Sequence, residues 1–336
     1  MEKMTCLYIS TVPASYRVDL RNELLERFDC RILHYSDDPM FRERFGVYFF
    51  QDLDRYLEEF HPDLVITSEF SPVTLQCLCR RKRYGFKLVA VCDDSMDMIQ
   101  GHDFGIKHRL ARHLVPRYLD SLILHSPEVC DWYRSRFGKG MVMPIMADER
   151  RIRPELERVL PLSERLRLGD KPIVAFVGRL VGLKNVPMLI HAFAPIRERL
   201  DLVIVGDGPD RKELEAMAPW AHFTGMLSGD ELLAWYNLMD VMVLPSTQEA
   251  YGAVTGEALM AGAKVIVSQK AGSADLVREG ENGYIVNPND VVGLTDRIVR
   301  LLDTVESGRT LLLRDNLHPY RFKDSAEALI RAMEAL

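Results

Sequence analysis

No apolar run in this sequence approaches the roughly 20 residues that a helix needs to cross a bilayer, so an integral membrane protein is not expected. The chain also lacks a surplus of positive charge. Its 43 Lys and Arg are outnumbered by 49 Asp and Glu, and a net charge of −6 does not favour wholesale nucleic-acid binding. The N-terminus has no basic region followed by a long apolar core, as a secretion signal would. Thr5-Cys6-Leu7-Tyr8-Ile9 reads as a strand at once, and a cytoplasmic location is expected. Cysteine is sparse. Cys6, Cys30, Cys77, Cys79, Cys92 and Cys130 form no C-x-x-C pair, so zinc-ligand spacing is missing and reduced, buried thiols are the simplest account.

What is present is a globular chain of 336 residues, 47% hydrophobic and 27% charged, a length that suggests two domains of ordinary size. Short apolar runs alternate with helical patterns. Strands are expected at 5–10, 30–35, 62–67, 87–92 and 121–125, with helices at 16–28, 52–60, 71–83, 107–118 and 131–137 between them. The aromatic stretch 36–50 takes no assignment. A charged segment with Pro154 and Pro161, residues 151–169, reads as a linker. A second series follows, with strands near 172–177, 201–205, 221–224, 240–244, 265–267 and 284–286. Strands alternating with helices imply parallel, doubly wound sheets, and two such Rossmann-like sheets put a ligand cleft between domains. The domains are expected at 1–150 and 165–319.

The most informative stretch runs from Leu244 to Val267. Pro245-Ser246 stops a buried strand, Glu249 sits in the following loop, and a helix begins at about Val254 with Glu257 expected in its first turn. The first turn of a helix carries free N–H groups and partial positive charge, a ready anion site, and Gly252 with the small Ala253 lets an anion approach the backbone. Carboxylates there accept hydrogen bonds from sugar hydroxyls. Spacing alone leaves open that Glu257 is merely a favourable first-turn charge and Glu249 a solvated loop residue.

The run Glu249-Ala250-Tyr251-Gly252-Ala253-Val254-Thr255-Gly256-Glu257-Ala258-Leu259-Met260-Ala261-Gly262 resembles the paired-glutamate signature of the retaining, nucleotide-sugar-dependent glycosyltransferases of family 4, also described as glycosyl transferases group 1. Lys264 stands where that family usually has proline. Gly178-Arg179-Leu180-Val181-Gly182-Leu183-Lys184-Asn185 resembles the family's G-R-x-x-x-x-K element, whose arginine and lysine hold the donor pyrophosphate. Standing alone, it would read as a solvated basic loop. Phe223-Thr224-Gly225-Met226-Leu227 is similar to the segment that meets the nucleobase through its backbone. Val205-Gly206-Asp207-Gly208-Pro209 follows the family's tight turn, and Arg211 at the third glycine position excludes a dinucleotide fingerprint. Asp275 stands where glutamate is usual and reads as a cap or turn residue.

The resemblance implies an α/β protein of the GT-B fold whose C-terminal helix, 320–336, crosses back onto the first domain. It implies transfer of a sugar from a UDP-, GDP- or dTDP-linked donor to a saccharide or lipid-linked acceptor hydroxyl, with retention. Glu257 would hold the ribose. Arg179, Lys184 and the backbone at Ala253-Val254 would hold the diphosphate, and Glu249 would orient the donor sugar. Gly178, Met226, Leu227, Tyr251, Gly252 and Pro13 would complete the donor surroundings. A protein cation can stabilise the leaving diphosphate, so no obligatory metal and no cofactor are expected. The first domain matches less closely. Asp93-Asp94 occupies the place of the family's histidine and could take the acceptor's proton or bind its hydroxyls; a helix cap plus a solvated aspartate reads equally well. His102 and His125 are weaker candidates. Arg80–Arg83 and Lys107–Arg117 form basic patches that suit an anionic membrane surface or, more simply, solvated helix faces. The alternatives are a nucleotide-sugar epimerase of the same fold, a phosphorylase, or an inactive nucleotide-sugar-binding subunit.

Overall fold

The computed structural model describes residues 3–11, 17–35, 39–44, 47–101, 106–152, 171–304 and 314–336. The chain divides into two units, Met1–Ile145 with Phe322–Leu336, and Met146–Arg321. Of the expected linker, only Arg151 and Ile152 are described; they end a short helix, Glu149–Ile152, at the start of the second unit.

In the first unit the strands are β1 (Thr5–Ser10), β2 (Asp29–His34), β3 (Phe41–Arg44), β4 (Val47–Phe50), β5 (Leu64–Ser68), β6 (Lys87–Cys92), β7 (Ser121–Leu124) and β8 (Met141–Val142). The main sheet is parallel, in the order β2-β1-β5-β6-β7-β8. This departs from the Rossmann order, because the chain after β2 does not add a third strand outside it. It turns into the antiparallel hairpin β3–β4 and returns to pair β5 with β1. The hairpin is the stretch whose form the sequence leaves open. It is held by aromatic packing: Phe41 and Phe50 are buried, with ring centroids 4.8 Å apart, and Tyr35 lies 5.0 Å from Phe41. The C-terminal helix Phe322–Glu334 belongs to this unit, where Arg27 on the helix Val18–Arg27 meets Glu334 at 2.8 Å.

In the second unit β9 (Ile173–Val177), β10 (Asp201–Val205), β11 (His222–Gly225), β12 (Val241–Leu244), β13 (Lys264–Ser268) and β14 (Gly283–Val286) form a parallel sheet ordered β11-β10-β9-β12-β13-β14. This is the Rossmann order, and the direction of winding reverses between β9 and β12. Both strands are continuous apolar runs, IVAFV and VMVL, buried along their whole length. Helices covering both faces of a parallel sheet demand such runs rather than alternation. Each fully buried Val, Ile or Phe there contributes roughly 1.5–3 kcal/mol.

Serine starts several helices. Ser71, Ser95 and Ser126 each accept a backbone N–H three residues on, opening Pro72–Tyr84, Met96–Gln100 and Pro127–Phe137. The last of these starts four residues before the expected 131, because Ser126-Pro127 is its N-terminal signal. The cysteines are free, but not all are buried. Cys79 is exposed on Pro72–Tyr84, and Cys30 is partly exposed on the edge strand β2.

Candidate active site

The winding reversal in the second unit brings two loops together. One leaves β9 and carries Gly178, Arg179 and Lys184; the other leaves β12 and carries Glu249. The ammonium of Lys184 sits directly against a carboxylate oxygen of Glu249, and both side chains are largely buried. Glu249 is therefore not a solvated loop residue. Arg179, by contrast, is exposed. Backbone contacts fix this approach. Lys184 ends a 3-10 turn, Gly182–Lys184, and the N–H of Thr247 donates to the carbonyl of Leu183 at 2.9 Å. Asn185, in the left-handed region at φ +54, donates its side-chain amide to the carbonyls of Pro245 (3.1 Å) and Pro288 (2.8 Å).

The turn after β10 acts on the same loop. A Cβ on Gly206 would lie 1.9 Å from the carbonyl oxygen of Gly178. Leu180 N–H donates to the Asp207 carbonyl at 2.9 Å, so this segment clamps the backbone beside Arg179. The sequence signals a tight turn here; its partner becomes visible only when β10 lies beside β9.

The helix after Glu249 is Ala253–Met260. Gly252 starts it at φ +93, a conformation that favours glycine, and a Cβ there would also strike Leu244 at 2.7 Å. Because the helix begins at Ala253, Glu257 is its fifth residue. The first turn contains no acidic group, so the expected first-turn placement is corrected. Glu257 instead accepts a hydrogen bond of 2.6 Å from the hydroxyl of Tyr236, on the helix Gly229–Leu238. Nothing in the local pattern marked Tyr236, which reads as a core aromatic and is fully buried.

Other expected donor residues are spread around this edge. Ala253 and Val254 open the helix and are partly exposed. Tyr251 is buried, and its carbonyl accepts from the Ser273 N–H at 2.8 Å. Met226 is 76% exposed just past β11, with Leu227 partly buried beside it. Asp275 lies inside the 3-10 helix Gly272–Leu276 rather than at its cap, which is Ala271. Pro13 and His102 lie outside the described residues. Among the described residues, no three or more His, Cys, Asp or Glu side chains gather as a metal site.

Asp93 lies in the first unit, where a second polar cluster occupies the carboxyl ends of neighbouring strands. Asp93 follows β6 and meets Arg17 at 2.5 Å and Nε2 of His125 at 2.7 Å. Nδ1 of His125 faces the carbonyl of Met143 at 2.8 Å, so both ring nitrogens have a partner. Burial pushes the Asp93 carboxyl up, but His125 and Arg17 together outweigh it and hold it at about 2. Asp94 is separate from this group. It is buried, held bidentately by Arg112 at 2.9 and 2.5 Å, and accepts from Tyr133 at 2.6 Å. The reading of the pair as a cap plus a solvated aspartate is corrected, since Ser95 caps the next helix.

Glu69 was not singled out in the sequence. It follows β5, holds φ +55, and accepts the N–H of Asp93 at 2.8 Å. Burial, then the charges of Asp93 and Asp94, push its carboxyl up to about 8. Its signal was weak, since Thr-Ser-Glu-Phe at a strand end is ordinary; strand order alone sets it beside Asp93.

The basic patches are partly consumed by internal pairing. Arg80 meets Asp54 at 2.7 Å and Arg81 meets Asp120 at 2.8 Å. Arg112 is buried on Asp94. Arg109 and Arg117 remain exposed, next to the exposed Leu110, Leu114 and Tyr118.

Comparison with known proteins addresses the second unit most directly. Residues 171–304 match the family model described as Glycosyl transferases group 1. Those residues form a group 1 glycosyl transferase domain. The GDP-mannose-dependent alpha-mannosyltransferase of Mycolicibacterium smegmatis is 32% identical over 247 residues, 69% of this chain and 62% of that protein. The GDP-mannose-dependent alpha-(1-6)-phosphatidylinositol monomannoside mannosyltransferase of Mycobacterium tuberculosis is 33% identical over 200 residues, 52% of this chain and 51% of that protein. A Corynebacterium glutamicum GDP-mannose-dependent alpha-mannosyltransferase is 36% identical over 150 residues, 45% of this chain and 33% of its own. The chain thus spans from 33% to 62% of the length of these relatives. Among solved structures, Anabaena HepE in complex with UDP matches with TM-score 0.77 at 16% identity, covering 99% of this chain and 100% of that one. Sucrose-phosphate synthase from Thermosynechococcus elongatus matches with TM-score 0.77 at 17% identity, covering 99% of both chains. At such identities the likeness is one of fold, and that fold is GT-B. Within it, the group 1 domain carries the Lys184–Glu249 contact at its winding reversal.

Proposed function

We propose that the protein moves a sugar from a nucleoside-diphosphate donor to an acceptor hydroxyl, retains the anomeric configuration and needs no metal ion. The observation that carries this reading is the Lys184–Glu249 contact at the winding reversal, beside the N-terminal end of Ala253–Met260. In doubly wound sheets ligands bind outside the carboxyl ends of strands at that reversal. A cation, a carboxylate and free helical N–H groups meet there, and a sugar diphosphate asks for those three.

Arg179, Lys184 and the N–H groups at Ala253 and Val254 take the diphosphate and stabilise charge on it as it leaves. On donor binding the ammonium of Lys184 is shared between phosphate oxygen and Glu249, and Glu249 turns its other acceptor sites to sugar hydroxyls. Glu257 takes the ribose, with Gly178, Met226 and Leu227 around the nucleotide. The first unit receives the acceptor, with Asp93 among its hydroxyl-binding groups. Relatives named as GDP-mannose-dependent support GDP-mannose as the first donor to try. A relative named for phosphatidylinositol monomannoside supports a lipid-linked acceptor in glycolipid or polysaccharide assembly. The exposed face of Arg109, Leu110, Leu114, Arg117 and Tyr118 fits peripheral contact with an anionic membrane.

The test is donor turnover by the purified chain with GDP-mannose, UDP-glucose and dTDP-glucose, in chelator, with the product anomer read by NMR. Release of nucleoside diphosphate in chelator and a product of the donor's configuration are expected. Turnover restored only by a divalent cation overturns metal independence, and an inverted product overturns retention. Binding without turnover of any donor turns the reading to an inactive nucleotide-sugar-binding subunit.

A further inference from the structure

Resting on the nucleotide-sugar reading above, we propose that Tyr236 is a positioning residue that sets the Glu257 carboxylate for the ribose hydroxyls of the nucleotide. The argument starts from the bond itself. Tyr236 donates to one Glu257 oxygen at 2.6 Å, the length of a charge-assisted hydrogen bond. The two residues lie 21 apart in sequence on different helices, Gly229–Leu238 and Ala253–Met260. The ring of Tyr236 is fully buried, so its hydroxyl cannot swing to another partner. Burial, then the nearby charge of Glu257, push that hydroxyl well above its ordinary value, so it remains a donor at every working pH.

Glu257 differs from its partner in exposure. It is only partly buried, at the second turn of a helix whose first N–H groups face the proposed diphosphate site. A glutamate there has three rotatable torsions and, left to itself, samples several rotamers. A bond from a rigid aromatic ring removes that freedom. It takes one of the roughly four lone-pair sites that a carboxylate carries on its two oxygens. A vicinal diol presents two donors at a fixed separation, so an oriented carboxylate reads it and a swinging one does so weakly. Tyr236 touches no ligand in this scheme and acts only through Glu257.

Calorimetric titration tests this with UDP and GDP, each beside its 2′,3′-dideoxy counterpart, on wild type, Tyr236→Phe, Glu257→Gln and the double variant. Tyr236→Phe is expected to weaken UDP or GDP about ten-fold while its dideoxy counterpart changes by less than about two-fold. Adding Tyr236→Phe to Glu257→Gln is expected to produce no further loss, since both act through one contact. Equal weakening of the ribose and dideoxy nucleotides, or a further loss in the double variant, overturns the positioning role while leaving the nucleotide reading intact. If melting curves show Tyr236→Phe unfolded at the assay temperature, the same titrations run below its melting temperature decide. A loss confined to ribose nucleotides supports the scheme, and a loss shared by the dideoxy forms overturns it. Wild-type protein that binds neither UDP nor GDP overturns the nucleotide reading and the positioning role together.

Discussion

Lys184 and Glu249 lie 65 residues apart, yet the ammonium of one rests on the carboxylate of the other where β9 and β12 end side by side. Each neutralises its partner before a donor arrives. A diphosphate entering this place finds a cation already oriented, with a carboxylate behind it that holds its geometry. The contact ties two sequence elements of the group 1 domain into one piece of chemistry.

Removing either partner should therefore impair transfer far more than folding. Lys184→Ala and Glu249→Ala are each expected to lower donor turnover by about 10²-fold or more, the magnitude seen when one stabilising group is taken from a developing negative charge. Melting temperatures by circular dichroism should fall, since each truncation leaves a largely buried charge unpaired, but both variants should still unfold cooperatively above the assay temperature. Full turnover in both variants would remove these residues from the mechanism.

The Glu69 carboxyl gives the first unit a distinctive pH dependence. Its value in the folded chain is about 8 against an ordinary 4.5. Between those values the folded chain keeps a proton that the unfolded chain has released. Stability therefore falls as pH rises through that window, by up to about 1.4 kcal/mol per pH unit from this group. Glu69→Gln stays neutral and can still accept the Asp93 N–H. The melting temperature of the variant relative to wild type should climb between about pH 5 and pH 8. A difference independent of pH would show that Glu69 is ionised throughout.

Asp94 and Arg112 make the opposite kind of claim, about structure alone. Both are buried and joined by two hydrogen bonds, with Tyr133 as a third partner of the carboxylate. Breaking such a pair strands a charge in the interior. Arg112→Ala is expected to destabilise the first unit by about 3–5 kcal/mol, read by urea denaturation. Asp94→Asn should be milder, since the amide oxygen can still accept from Tyr133. Equal stability of Arg112→Ala and wild type would mean that the pair is open to water.

Gly206 offers a test at the backbone. A methyl there would overlap the Gly178 carbonyl, so Gly206→Ala must push the Arg179 loop away from β10. Weaker nucleotide binding by about ten-fold or more, together with a lower melting temperature, is expected. Unaltered binding of UDP and GDP would show that the loop's position does not matter to the donor.

Much of this molecule was legible in its residues. Strand and helix periods placed nearly every element of the two parallel sheets, because an apolar run and a helical stripe report burial locally. The resemblance of the stretches from Glu249 to Gly262 and from Gly178 to Asn185 to a known signature singled out the two segments that surround the winding reversal, since a motif needs only its own residues to be read. The hairpin β3–β4 escaped, for its stability comes from aromatic partners such as Tyr35 that lie outside it.

Tertiary structure alone decided which of these pieces meet. Strand order set Asp93 against His125 and Arg17, 32 and 76 residues away, and so placed this carboxylate in an ion cluster. It buried Asp94 on Arg112, brought Tyr236 to Glu257, and seated the Gly206 turn on Gly178. The physical reason is common to all of them. Sequence patterns record whether a side chain faces core or solvent, whereas the identity of a polar partner depends on which strand ends become neighbours, and no local period encodes that.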